Sequence, residues 1–163
     1  APALDFPERP RWHVISSGAG RRYAQGEYVY LAAATIPYRN GFNDLPPART
    51  LEALPRDGIL LWVSLSRDGR SPPRAWDGGG AFEPRPPPYR IGDLERRYPW
   101  EGQVRDIPEY LLWAASSDQY LVDLRVYFGR LHPTEAMLAE ADAVLASLRF
   151  PDWGPWELDQ AGA

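Results

Sequence analysis

The sequence predicts an α+β domain: a twisted antiparallel sheet of about five or six strands with a C-terminal amphipathic helix packed across it. Three observations carry this. From Tyr120 the residues alternate, with Tyr120, Val122, Leu124, Val126 and Phe128 on one side and Leu121, Asp123, Arg125 and Tyr127 on the other. That is the period of a half-buried strand. Ile59 to Ser66 alternates in the same way, with Ile59, Leu61, Val63 and Leu65 sharing one face and Leu60, Trp62 and Ser64 the other. After Gly129 the period changes, and Met137, Leu138, Ala141, Val144, Leu145 and Leu148 recur at helical spacing. A single helix cannot bury such a stripe alone, so it must lie across a sheet.

Residues 1–11 are Pro-rich and read as an extended tail, and residues 12–150 as the domain proper. Trp12 to Ser16 is a short strand with Trp12 and Val14 on one side and His13 and Ile15 on the other. The polar run Ser17 to Gly26 reads as a loop; its glycines lack the spacing of a nucleotide fingerprint, and no helix pattern follows them. Glu27 to Ile36 is the second strand, and its small centre (Ala32, Ala33, Ala34) allows a bulky helix or an aromatic ring to approach closely. Arg49 to Leu54 reads as a turn or two of helix before Asp57-Gly58 reverses the chain.

Residues 67–88 form a long Pro/Gly-rich loop, because such a density of prolines and glycines cannot build a packed element. Tyr89 to Gly92 reads as a brief edge strand and Asp93 to Arg97 as a helical turn. Ile107 to Ser116 and the strand from Tyr120 form a hairpin. Centring its turn on Ser117-Asp118 sets Trp113 opposite Val122, Leu111 opposite Leu124 and Tyr110 opposite Arg125. Trp113 is then core, and Tyr110 with Arg125 an outward pair. Pro133 suits the first turn of the closing helix, with Glu135 near its positive end. Residues 151–163 are a tail whose Trp153 and Trp156 are placed to fold back onto the sheet.

The totals exclude whole classes of chemistry. The chain has 163 residues, 44% hydrophobic and 25% charged, which suits one domain with a core of its own. Its formal net charge of −4 argues against a nucleic-acid binder, which needs a basic face. All 18 basic residues are arginine. Without Lys there is no Walker-type phosphate loop and no Schiff base. Without Cys there is no disulfide framework, thiol nucleophile or cysteine metal site. His13 and His132 are too few for a three-histidine zinc site, and no GxSxG elbow marks a serine hydrolase. Neither a cofactor nor a metal is expected. No apolar run reaches the length of a membrane span. The chain begins Ala1-Pro2-Ala3, which suggests a processed product whose export signal or lipid anchor has been removed.

What remains is recognition chemistry. Trp76, Tyr89, Trp100, Tyr110 and Arg125 are the candidate binding residues: aromatic planes in or beside the irregular segment, plus the outward pair on the hairpin. Pro86-Pro87-Pro88-Tyr89 matches the PPxY pattern, in which a polyproline helix fits an aromatic groove. The carboxylate pairs Asp106 with Glu109 and Asp93 with Glu95 are the candidates for acid–base work on a glycan, provided the fold sets either pair across a cleft. Glu135, Glu140 and Asp142 read as the solvated side of the closing helix.

Three stretches carry a resemblance: WHVIS (Trp12 to Ser16), LPRDGILLWVSLS (Leu54 to Ser66) and the block from Tyr110 to Phe150 ending in VLASLRF. Together they resemble small extracytoplasmic, lipoprotein-like domains of high-GC Gram-positive bacteria. The order of elements with its closing helix is similar to PsbP-like domains, an antiparallel sheet with flanking helices. The resemblance implies a location at the cell envelope and a fold, and brings no catalytic residues with it. The expected function is a non-catalytic exported binding or accessory domain whose partner is a protein or another envelope component. The alternatives are a carboxylate-dependent hydrolase of an envelope glycan and a Pro-rich ligand for a recognition domain.

Overall fold

The strand at the centre of the molecule is the one with the clearest alternation. In a computed structural model, which describes residues 3–22, 26–37, 48–67, 83–97, 106–116 and 119–154, the strands are β1 (His13–Arg22), β2 (Gly26–Ala34), β3 (Ile59–Arg67), β4 (Glu83–Pro84), β5 (Glu95–Arg97), β6 (Glu109–Ser116) and β7 (Tyr120–Phe128). The helices are α1 (Ala48–Ala53) and α2 (Glu135–Ser147). The strands make one sheet in the order β1-β2-β3-β7-β6-β4, with β5 also against β6. All pairings are antiparallel except that of the two-residue β4. The predicted α+β class is therefore correct in its layers: an antiparallel sheet and a closing C-terminal helix.

One face of the sheet is covered by α2. Val29, Leu31 and Ala33 of β2, the odd residues Ile59 to Leu65 of β3, Leu112 and Ala114 of β6, and the even residues Tyr120 to Phe128 of β7 pack there against Met137, Ala141, Val144, Leu145 and Leu148. The helix starts at the N-cap Thr134, whose side-chain oxygen accepts from the Met137 N–H at 3.2 Å, so Pro133 lies just outside the helix. Leu4 and Trp12 close one margin of this core, and Asp5 forms a bridge with Arg149. Trp153 closes another, edge-on to Tyr120 with ring centroids 5.4 Å apart. Its segment is tied down by Arg67, which donates to the Gly154 carbonyl at 2.6 Å, and by Gln119, which accepts from the Trp153 N–H at 3.0 Å.

The second face is apolar only at one end. There Leu51 of α1 and Leu54 just after it, with Ile107, cover Ile15, Ala32, Ala34, Leu60, Trp62 and Tyr127. Every residue of β3 from Ile59 to Leu65 is buried, because the strand has cover on both sides.

Four sequence expectations are corrected. The polar run from Ser17 is strand, not loop, as far as Arg22: it pairs residue for residue with β2, and the Tyr30 and Tyr28 rings fill the space above Gly18 and Gly20. A strand of small polar residues carries no period of its own to read. Ile91–Asp93 is a single 3-10 turn where an edge strand was expected, and Glu95–Arg97 is strand where a helical turn was expected. The hairpin register differs by one residue, since Leu112 lies opposite Leu124 and Trp113 opposite Asp123. Ser116 pairs with Tyr120, so three residues separate the strands instead of two. Trp113 is consequently half-buried on the second face and not in the core.

Candidate functional site

The register decides which side chains meet on the second face. Trp62, Arg125 and Leu111 lie opposite one another across β3, β7 and β6. Tyr30, Ser64, Asp123 and Trp113 form the next row, and Leu60, Tyr127, Glu109 and Arg97 the row on the other side. The polar positions of three strands thus converge beside Trp62.

Arg125 is the hub of this group. Its Nε donates to Asp123 at 2.9 Å and its Nη2 to the other oxygen of the same carboxylate at 3.0 Å, a two-pronged pairing. Its Nη1 reaches Glu109 at 3.5 Å. The guanidinium carbon lies 5.3 Å from the centroid of the Trp62 ring. Burial works against the charge, but the bonds and charges of Asp123 and Glu109 outweigh it, and the Arg125 pKa is raised. Glu109 is only 6% exposed and also accepts from the Tyr127 hydroxyl. Burial first, then the hydrogen bond and charge of Glu109, push the Tyr127 phenol well above its ordinary range. The Trp62 indole N–H is buried and has no hydrogen-bond partner among the described residues.

Further aromatic rings lie on the same face. The Arg97 guanidinium stands 4.9 Å over the Trp113 ring. On the β2 side, Tyr28 and Tyr30 are stacked with nearly parallel planes, their centroids 6.1 Å apart and the planes inclined by 19°. Both tyrosines are half-buried.

Of the residues singled out from sequence, Arg125 sits in this group. Tyr110 does not: it points to the helix face, edge-on to Phe128 at 5.3 Å, because the one-residue difference in register reverses its side. The expected outward pair of Tyr110 and Arg125 is therefore not formed. Tyr89 is 1% exposed, packed edge-on against Phe150, with its hydroxyl donating to the Arg85 carbonyl. The aromatic residue of the PPxY pattern is thus part of the core. Trp76 and Trp100 lie outside the described residues.

Most of the candidate carboxylates are also committed. Asp93 accepts from Arg85 and from the Arg90 N–H. Glu109 is buried while Asp106 is exposed. Glu140 and Asp142 are not merely solvated: Glu140 accepts from the Trp12 indole at 3.0 Å and from Arg11, and Asp142 accepts from the Ile91 N–H at 2.7 Å.

Sequence reasoning missed Trp62, Tyr28, Tyr30 and Glu109 as members of one group. The signal was present in β3, whose second face carries a tryptophan between otherwise modest residues, but only the pairing of β3 with β7 sets Trp62 beside Arg125. Among the described residues no helix is long and apolar enough to cross a membrane. Comparison of the chain with protein-family models, with characterised proteins and with solved structures finds no match.

Proposed function

We propose that this chain is a non-catalytic exported binding or accessory domain of the cell envelope, and that it recognises its partner with the second face of the sheet. The observation that carries this reading is the held guanidinium of Arg125, fixed by Asp123 and Trp62 on the sheet face that also carries Trp113, Tyr28 and Tyr30. Such a group is preorganised. Its Nε and Nη2 are held by Asp123 and its Nη1 reaches Glu109, which fixes the plane of the guanidinium. Rigid aromatic planes beside a fixed donor suit stacking on a sugar or a peptide side chain.

The envelope location and the PsbP-like character of the fold rest on the sequence resemblance. The glycan-hydrolase alternative is the weaker one, because one carboxylate of each pair is already held, Asp93 by Arg85 and the Arg90 N–H, and Glu109 by Arg125 and Tyr127.

A thermal-shift panel of cell-wall glycans, short peptides, lipid head groups and divalent metals tests the proposal. A ligand at about a hundred times its dissociation constant stabilises the fold by about 2.7 kcal/mol, which moves the midpoint by a few degrees. A shift that disappears in Trp113→Ala and Tyr30→Ala supports the reading. A shift that survives both substitutions places the site elsewhere.

A further inference from the structure

The two edges of the sheet are built differently. On one side, the outer flank of β6 is shared by β4, two residues long and ending in Pro84, and by β5, whose three residues Glu95, Arg96 and Arg97 are all charged. Short strands, proline and charge are the devices that prevent another strand from adding. On the other side lies β1, ten residues long, without proline, and paired among the described residues to β2 alone. Between Val14 and Ser16 its register shifts, and from Ser16 to Arg22 it is regular. Its centre is Ser17-Gly18-Ala19-Gly20, and Ser17 and Ala19 are exposed. The outward backbone N–H and C=O groups of this run meet no strand among the described residues.

We propose that a second copy of this chain adds antiparallel along β1, continuing the sheet through a two-fold axis at Ala19. The regular run itself selects this register, because Ala19 is its midpoint. Ser16 then faces the partner's Arg22, Ser17 faces the partner's Arg21, and Gly18 faces the partner's Gly20. Each pair keeps its residues on the same face, as continuous pleating requires.

The glycines identify the occupant as a copy. A Cβ at Gly18 would come within 2.9 Å of the Tyr30 ring and one at Gly20 within 2.8 Å of Tyr28, so both rings extend over β1 into the places of the missing side chains. Setting Gly18 beside the partner's Gly20 brings ring alongside ring and joins the two tyrosine pairs into one row across the second face. A peptide of arbitrary sequence offers no such match. The proposal is independent of the ligand reading, since the domain could bind its ligand as a monomer.

The test is sedimentation equilibrium of the intact chain over roughly a hundredfold range of concentration. The expected result is a mass that doubles as concentration rises. Ala19→Lys and Ala19→Glu each place like charges across the axis and should each be monomeric, with thermal midpoints close to that of the parent because Ala19 is exposed. An equimolar mixture of the two should restore the dimer. A parent chain that stays monomeric overturns the proposal. So does a dimer that persists in both variants, or a mixture that fails to restore it.

Discussion

The Tyr127 hydroxyl donates to the carboxylate of Glu109, and that carboxylate also takes Arg125. A tyrosine, a buried acid and a cation from two neighbouring strands are thereby linked on the face opposite the closing helix. Removing one member leaves another without its partner in a place water reaches poorly.

Tyr127→Phe should therefore destabilise the fold by about 1–3 kcal/mol, the usual cost of leaving a buried acceptor short of a donor. Arg125→Ala should cost more, about 3 kcal/mol or above, because it strands Glu109 as an uncompensated buried charge. Urea denaturation of the two variants beside the parent measures both. Equal losses would mean that Glu109 does not depend on the cation.

Stability should fall at alkaline pH through three tyrosines. Burial raises the phenol pKa of Tyr89, Tyr120 and Tyr127 above the ordinary value of 10.0. A folded pKa above the unfolded one means that the native state holds more protons between the two values. Their contribution is thus complete below pH 10 and is lost as pH rises beyond it, at up to about 1.4 kcal/mol per pH unit for each tyrosine. Urea midpoints at pH about 9 and about 11 follow the loss. Tyr127→Phe should show a shallower decline than the parent.

Gly129→Ala should be among the most damaging single substitutions in the chain. A Cβ there would collide with the Pro55 carbonyl oxygen, and the Gly129 N–H already donates to the Gly58 carbonyl at 2.9 Å. The obstruction is backbone and cannot swing aside, so the cost should be about 3 kcal/mol or more. A fall in the thermal midpoint of ten degrees or so would match this.

Arg11 offers a finer test. It is a non-glycine residue at φ 67, and its side chain reaches both Glu140 and Asp57. Arg11→Ala loses those exposed pairs and keeps the left-handed backbone. Arg11→Gly loses the same pairs but relieves the backbone, so it should be the more stable variant by about 1 kcal/mol. The two chemical denaturation midpoints decide the order.

The hairpin shows how far the sequence could be read. In β7 the even residues are apolar and Asp123 and Arg125 stand among the odd ones, so its faces were legible. In β6 both faces are rich in apolar groups, with Tyr110, Leu112 and Ala114 on one and Leu111, Trp113 and Ala115 on the other. Either register satisfies such a strand, and a loop of two or three residues decides between them. The site suffered from that single choice. In the observed register Tyr110 faces the closing helix and Trp113 the second face, the reverse of what a two-residue turn predicts.

The alternation of β3 and β7 and the helical spacing of α2 determined the α+β layers by themselves, because burying one face of each element has only a few solutions. The composition likewise determined which chemistries are absent, since no fold can supply a lysine or a thiol. Only the tertiary structure decided the rest. Strand order set Trp62 beside Arg125, and cross-strand pairing made a strand of Ser17 to Arg22 by laying Tyr28 and Tyr30 over its glycines. Those relationships join residues far apart in the chain, and a local period has no means of recording them.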